Sequence, residues 1–270
     1  WARPDLFALD RDLRPTVVAG VPPDYFTETG QLWGNPIYAW ERHAADGYAW
    51  WIARLQSLLE LTDLLRIDHF RAFVDYWEVP AGSPTAATGR WVPGPGAAFF
   101  ARVRQALGGL PIVPEDLGEL HPAVPALLAE VGLPGMKVMQ FAYDGDPRNP
   151  FLPEHHPENC VVYTGTHDND TTTGWYRSLP PSERRRWRAA VGGDGRRIAW
   201  SLITRAWESR AFLAVAPMQD LLGLGSDARM NTPGSFGRNW VWRMTPGAAG
   251  RRLQQRLADL NRRTRRRRSR

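Results

Sequence analysis

The sequence predicts an α/β fold, the C-terminal portion of a (β/α)8 TIM barrel with loop insertions, and three observations predict it. Short apolar runs without period-two alternation are separated by helical stretches, the pattern of a parallel sheet covered on both faces. No run is followed by the glycine-rich phosphate loop that marks nucleotide-binding doubly wound sheets. Acidic residues recur at the C-terminal ends of the runs, the rim on which β/α barrels build their active sites.

In chain order, TVVAG (16–20) is the weakest strand signal, and ERHAADGYAWWIARLQSLLELT (41–62) has helical periodicity. LLRID (64–68) is an apolar strand that stops in charge at Asp68. PTAATGRWVPGPG (84–96) is read as a loop from its Pro and Gly content. LPIVPED (110–116) is a strand ending in Glu115 and Asp116, PAVPALLAEVG (122–132) a helix, and GMKVMQFAY (135–143) a strand. CVVYTGTHD (160–168) ends in His167 and Asp168, and FLAVAPMQD (212–220) in Asp220, with PPSERRRWRAAVGGDGRR (180–197) between them as a helical insertion. Five clear strands fall short of the eight of a closed barrel, and the chain starts without Met, so the expectation is a partial catalytic barrel over residues 1–243.

The 270 residues, 43% of them apolar, suffice for a sizeable core. A single cysteine, Cys160, excludes an intramolecular disulfide and fits a reducing compartment; no apolar run is long enough to span a membrane, so the expected location is cytoplasmic. The net charge of +6 is unevenly placed: residues 251–270 hold ten Arg and one Asp, which leaves the other 250 residues at −3. The segment 244–270 is therefore expected to be a disordered Arg-rich tail, and nucleic acid a partner only through it. Thirteen tryptophans imply either an aromatic core or a surface that stacks flat ligands such as sugars or bases.

Asp68, Glu115 and Asp168 lie at the ends of three different strands, where a barrel brings side chains to one mouth. Glycoside chemistry needs such carboxylates: an ionised one to attack the anomeric carbon and a protonated one to serve the leaving oxygen. Arg66, two residues before Asp68, shares its face and is placed to pair with it. Glu115 has no cation beside it in sequence, and Asp116 and Asp68 favour its protonated form. His167 and Asp168 are suited to sugar hydroxyls. A metal centre on Asp68, His69, Glu115, His167 and Asp168 is the competing reading, but there is no His-x-His or His-x-x-x-His pair, and no metal or other cofactor is expected.

The motifs RIDHFRAF, PEDLG followed by GLPGMKVMQFAY, and VVYTGTHDNDTTTGWY resemble, in order, those of 4-α-glucanotransferases of the amylomaltase or disproportionating-enzyme type, glycoside hydrolase family 77. PPDYFTETGQLWGNPIY (22–38) is similar to the loop over the acceptor side of that family's cleft, and NTPGSFGRNWVWR (231–243) to its C-terminal signature. The resemblance implies a transferase that moves α-1,4-glucan segments between maltooligosaccharides or starch- or glycogen-derived glucans by a retaining double displacement. It implies Asp68 as nucleophile, Glu115 as acid/base and Asp168 as transition-state stabiliser. Substrate contacts are implied for Arg66, His167, Asn231 and, on the acceptor side, Tyr25, Phe26, Gln31 and Trp33. The chain departs from the family at Pro114 and Ala72, where Ala and Gly are usual. The contrasting expectation is an inactive chain that binds glucan, or nucleic acid through the tail, without turnover.

Overall fold

The computed structural model describes residues 2–23, 27–118 and 121–266 and divides into two compact units, Trp1–Gly135 and Met136–Arg270. Each is built around its own core. The proposed acceptor-loop residues Tyr25 and Phe26 lie outside the described residues.

The first unit contains β1 (Val17–Val21), β2 (Gln31–Pro36), α1 (Trp40–Ala45), α2 (Ala49–Leu59), β3 (Leu65–Ile67), β4 (Asp75–Pro80), β5 (Arg90–Pro93), α3 (Gly96–Leu107), β6 (Ile112–Pro114) and α4 (Ala123–Val131). Four of these strands form an antiparallel sheet in the order β2-β1-β4-β5, which the expectation of a parallel sheet alone did not include. Residues 84–96, read as a loop, supply β5, and the region after Gly30 supplies β2. The other sheet is the parallel pair β3-β6, which holds the ends of LLRID and LPIVPED side by side. The single helix expected over residues 41–62 is two, because Gly47 (φ +68°) and Tyr48 (φ +61°) adopt left-handed backbone that no helix interior accommodates.

The core beneath β3 and β6 is largely aromatic. Phe73 packs on Phe99 and Phe100 with ring centroids 4.9 Å apart, and Trp51 meets Phe99 edge-on at 5.5 Å. Helices α2, α3 and α4 contribute Leu55, Val103 and Val131 to the same cluster. Each such fully buried side chain contributes roughly 1.5–3 kcal/mol.

The second unit contains β7 (Gly135–Val138), β8 (Cys160–Tyr163), α5 (Thr172–Ser178), α6 (Pro181–Val191), α7 (Ile198–Glu208), β9 (Leu213–Val215), α8 (Met218–Leu222) and α9 (Arg251–Arg263). The strands form one sheet in the order β7-β8-β9, with β8 and β9 parallel. Helix α7 is the centre of this unit: Leu202, Ile203 and Ala206 are fully buried against Val162, Trp187 and Leu260. Trp51, Trp187, Trp200 and Trp207 are all buried, so much of the tryptophan excess is core.

Two expectations are corrected here. The tail from residue 244 is not disordered through residues 251–263: these form α9, whose Leu253, Leu257 and Leu260 pack on the core at helical spacing. Beyond it Arg266 donates to the carbonyl oxygens of Trp207 (2.7 Å), Ser209 (2.8 Å) and Ala211 (2.7 Å), satisfying acceptors around the C-terminus of α7. Asp220, read as a fourth carboxylate on the rim, is not at a strand end, since β9 stops at Val215 and Asp220 lies in α8, 1% exposed.

Candidate active site

In the first unit, the pairing of Leu65 with Ile112, Arg66 with Val113 and Ile67 with Pro114 makes Asp68 and Glu115 the next residues on adjacent parallel strands. The ladder runs on past the strand ends. Glu115 donates its N–H to the Ile67 carbonyl at 2.8 Å, and Phe70 donates to the Glu115 carbonyl at 3.0 Å. Pro114, lacking an N–H, is tolerated because the ladder bond comes from Glu115 instead.

Between Asp68 and Phe70 the backbone must turn sharply, and His69 takes it through φ +50°. Left-handed backbone at a residue with a Cβ costs roughly 1–2 kcal/mol. The turn aims the His69 N–H at Glu115 Oε2, 2.9 Å away, while the Leu117 N–H donates to Oε1 at 2.8 Å. Both carboxyl oxygens of Glu115 are thus held by main-chain donors, each with a lone pair left over.

Burial is the largest influence on the Glu115 carboxyl and pushes its pKa above the ordinary value. The two N–H donors oppose that shift, and the negative charge of Asp68 adds to it. The expectation that neighbouring charge governs Glu115 is therefore refined: desolvation comes first. Asp68 itself pairs with Arg66 Nη2 at 2.8 Å and keeps its side chain 74% exposed, open to a ligand.

A cavity of about 510 Å³ in this unit is bordered by Trp33, Arg66, Asp68, His69, Tyr76 and Trp77, a size that admits a sugar unit. Trp33 and Gln31 share one face of β2, the Gln31 Oε1 accepting from Trp33 Nε1 at 3.2 Å. The Trp33 ring meets the His69 ring edge-on at 4.9 Å.

In the second unit, Asp168 lies in the loop between β8 and α5. Asn169 Oδ1 accepts from the N–H (2.8 Å) and hydroxyl (2.9 Å) of Thr166, closing a turn that presents His167 and Asp168. His167 Nε2 is 3.2 Å from Asp168 Oδ2, and Asn231 Nδ2 donates to Asp168 Oδ1 at 2.7 Å. Asn231 also donates its backbone N–H to the His167 carbonyl at 3.1 Å. The predicted residues His167, Asp168 and Asn231 thus form one hydrogen-bonded group.

The glycoside hydrolase family 77 model, described as 4-alpha-glucanotransferase, matches residues 1–249. The chain belongs to the 4-alpha-glucanotransferase family. A 4-alpha-glucanotransferase of Thermus thermophilus is 52% identical over 255 residues, 92% of this chain and 51% of the relative. The chloroplastic 4-alpha-glucanotransferase of Arabidopsis thaliana is 44% identical over 266 residues, 96% of this chain and 46% of the relative. Among solved structures, an amylomaltase from Streptococcus agalactiae in complex with acarbose superposes with a TM-score of 0.92 at 38% identity, covering 98% of this chain and 54% of that one. The chain thus spans about half the length of the relatives it matches, and its α/β fold is similar to that of the amylomaltase.

Within this family member, sequence reasoning overlooked Arg229 and Trp240. Arg229 donates to the Asp168 carbonyl from Nη2 and to the Asn231 carbonyl from Nε, both at 2.7 Å, tying the two segments together. Trp240, at φ +63°, lays its ring 5.1 Å from that of His167. The sequence signal for Arg229 was its proximity to Asn231, and for Trp240 its place within NTPGSFGRNWVWR. No group of three or more His, Cys, Asp or Glu suited to a metal ion occurs among the described residues, and no described helix is long and apolar enough to cross a membrane.

Proposed function

We propose that the protein is a retaining 4-α-glucanotransferase that passes α-1,4-glucan segments from maltooligosaccharide or starch- or glycogen-derived donors to a glucan acceptor. The single observation that carries this reading is the contrast between adjacent strand ends: Asp68 exposed and paired with Arg66, Glu115 half-buried with its pKa raised. Two carboxyls in such unlike surroundings suit the two roles of a retaining enzyme.

In the first step Asp68 attacks the anomeric carbon with the oxygen not engaged by Arg66. The glycosidic carbon–oxygen bond breaks, and Glu115 gives its proton to the departing 4-oxygen, leaving a β-linked glycosyl ester on Asp68. In the second step the Glu115 carboxylate takes the proton of an acceptor 4-hydroxyl as that oxygen attacks the same carbon and displaces Asp68. Asp168, with its orientation set by His167, Asn231 and Arg229, binds sugar hydroxyls whose hydrogen bonds tighten as the ring flattens. Gln31 and Trp33 contribute to the acceptor side, where an aromatic face favours a sugar over water as the incoming nucleophile. The reading includes a (β/α)8 barrel, supported by the parallel pairs β3-β6 and β8-β9 and the helices that intervene in each crossover.

Incubation with maltotriose tests it. Free glucose with longer maltodextrins is the expected product pattern. Glucose and maltose without chain lengthening would refute the transferase reading, and maltoheptaose binding without turnover would favour the contrasting one. Mapping the peptide labelled by a 2-deoxy-2-fluoroglycosyl donor tests the nucleophile; a label away from Asp68 overturns its role.

A further inference from the structure

Helix α6 and the loop after it gather positive charge that the proposed reaction does not use. Residues 177–197 hold seven arginines against Glu183 and Asp194, and five of the seven face one cavity of about 420 Å³. Arg177 comes from α5, Arg184, Arg185 and Arg188 from α6, and Arg196 from the loop before α7. Asp194 is the one carboxylate on the lining, and it pairs with Arg196 at 3.4 Å. Among the described residues, no carboxylate lies within ion-pair distance of Arg177, Arg184, Arg185 or Arg188. Four guanidinium groups around one hollow repel each other without a counter-charge, and an anion seated there relieves that repulsion.

The hollow is kept open by Gly195. At φ +81°, a Cβ at this position would stand 2.6 Å from Tyr176 Oη and 3.1 Å from Arg188 Cδ, filling the space where the lining closes. The Tyr176 hydroxyl is turned inward to the Arg184 carbonyl, 3.3 Å away, which leaves the guanidinium groups as the principal polar feature. Neutral glucan offers nothing to such a set, whereas planar guanidinium forks match phosphate oxygens in bidentate fashion. The volume is that of a small-molecule site and excludes a nucleic acid duplex from the interior.

We propose that this cavity binds a small ligand carrying two or more phosphate groups. Inorganic polyphosphate, a nucleoside polyphosphate and a sugar bisphosphate share this chemistry. None of its lining residues is among those assigned to glucan transfer, and the proposal stands whether or not that assignment holds.

Calorimetric titration of the whole chain with tripolyphosphate, ATP and fructose 1,6-bisphosphate at 150 mM salt tests the proposal. At least one should bind saturably with one site per chain, and the order of affinities names the source: tripolyphosphate tightest if the phosphate row alone is read, ATP or the sugar bisphosphate if the attached group adds contacts. The double variant Arg184→Gln/Arg185→Gln, which keeps most of both aliphatic stems, should weaken binding by about tenfold or more, since charge-assisted hydrogen bonds are lost. Arg262→Gln on α9 should leave it unchanged. Circular dichroism confirms that the variants fold, and Arg177→Gln serves as a second reporter if the double variant does not. The proposal is overturned if none of the three ligands saturates a single site, if Arg262→Gln weakens binding as much as the double variant, or if a DNA duplex binds more tightly than all three.

Discussion

Asp220 Oδ1 accepts the backbone N–H of Thr172 at 2.7 Å, while its Oδ2 accepts the hydroxyls of Thr172 (2.7 Å) and Thr164 (2.6 Å). One buried carboxylate therefore brackets the loop of residues 165–171 that carries His167 and Asp168. Burial raises the pKa of this carboxyl, and the three donors only partly offset it. Asp220→Ala strands three donors in a sealed site, at about 1–3 kcal/mol for each group left unsatisfied. We expect urea denaturation to show a loss of several kcal/mol for Asp220→Ala and a smaller one for Asp220→Asn, which keeps the shape and one acceptor oxygen. Equal midpoints for Asp220→Ala and the parent would show that the bracket holds nothing.

Gly174 provides a second test of the same loop. A Cβ there would lie 2.2 Å from Ser226 Oγ, 2.7 Å from Asp170 Oδ2 and 2.8 Å from the Ser226 backbone nitrogen. Ser226 Oγ donates to Asp170 Oδ2 at 2.6 Å, so Gly174→Ala must break that bond or shift backbone. The expected cost is roughly 1–3 kcal/mol, the range for overpacking, with a larger loss of transfer activity than a substitution at exposed Arg210 produces. An unchanged melting temperature would contradict this packing.

Removing the proton of Glu115 should separate the two steps of transfer. For Glu115→Gln, kcat/KM on maltotriose should fall by about 10²–10⁴-fold, the usual worth of general acid–base catalysis. A maltosyl fluoride donor, whose leaving group needs little protonation, should restore formation of the glycosyl enzyme. Because the pKa of Glu115 is raised, its acid form survives above the ordinary glutamate value. The rate of the first step should therefore hold as pH rises past that value and decline only as pH passes the raised pKa. A decline already complete at the ordinary glutamate value would mean that burial does not tune this group.

Acid stability depends on a different residue. His156 is buried, with Nε2 3.0 Å from the Phe151 carbonyl and Nδ1 without a hydrogen-bond partner, and burial pushes its pKa below the ordinary value. The unfolded chain takes up a proton near pH 6.5 that the folded chain does not. This contribution leaves stability undiminished above about pH 6.5 and lowers it as pH falls from there towards the depressed folded pKa. Urea midpoints of the parent should drop between pH 7 and pH 5, and those of His156→Phe should drop less. Parallel profiles would assign the acid sensitivity elsewhere.

How much of this was legible in the sequence depended on whether a signal was local. Asp68 and Glu115 each follow a short apolar strand directly, so the end of the run and the place of the carboxylate could be read together. The antiparallel sheet was missed because β2 and β5 are short, largely exposed and set among Gly and Pro, where periodicity does not accumulate. Asp220 was misplaced because FLAVAPMQD joins a three-residue strand to a helix that begins after Pro217. In α9 the leucines at 253, 257 and 260 carried a helical stripe, but the ten arginines of residues 251–270 made the segment look like a tail. No reading of the chain could have found the hydrogen bond from His69 N–H to Glu115, because it depends on strand register and one left-handed residue.

That hydrogen bond, with its partner from Leu117, has a consequence for how the protein can vary. Both donors to Glu115 belong to the main chain, and any residue except proline carries an equivalent N–H. The identities at 69 and 117 are thus free to drift, within what the turn tolerates, while the carboxyl keeps its grip. A library of substitutions at position 69, whose side chain borders the pocket, would vary its wall without erasing the anchoring of the acid, which makes it a natural place to begin evolving new acceptor preferences.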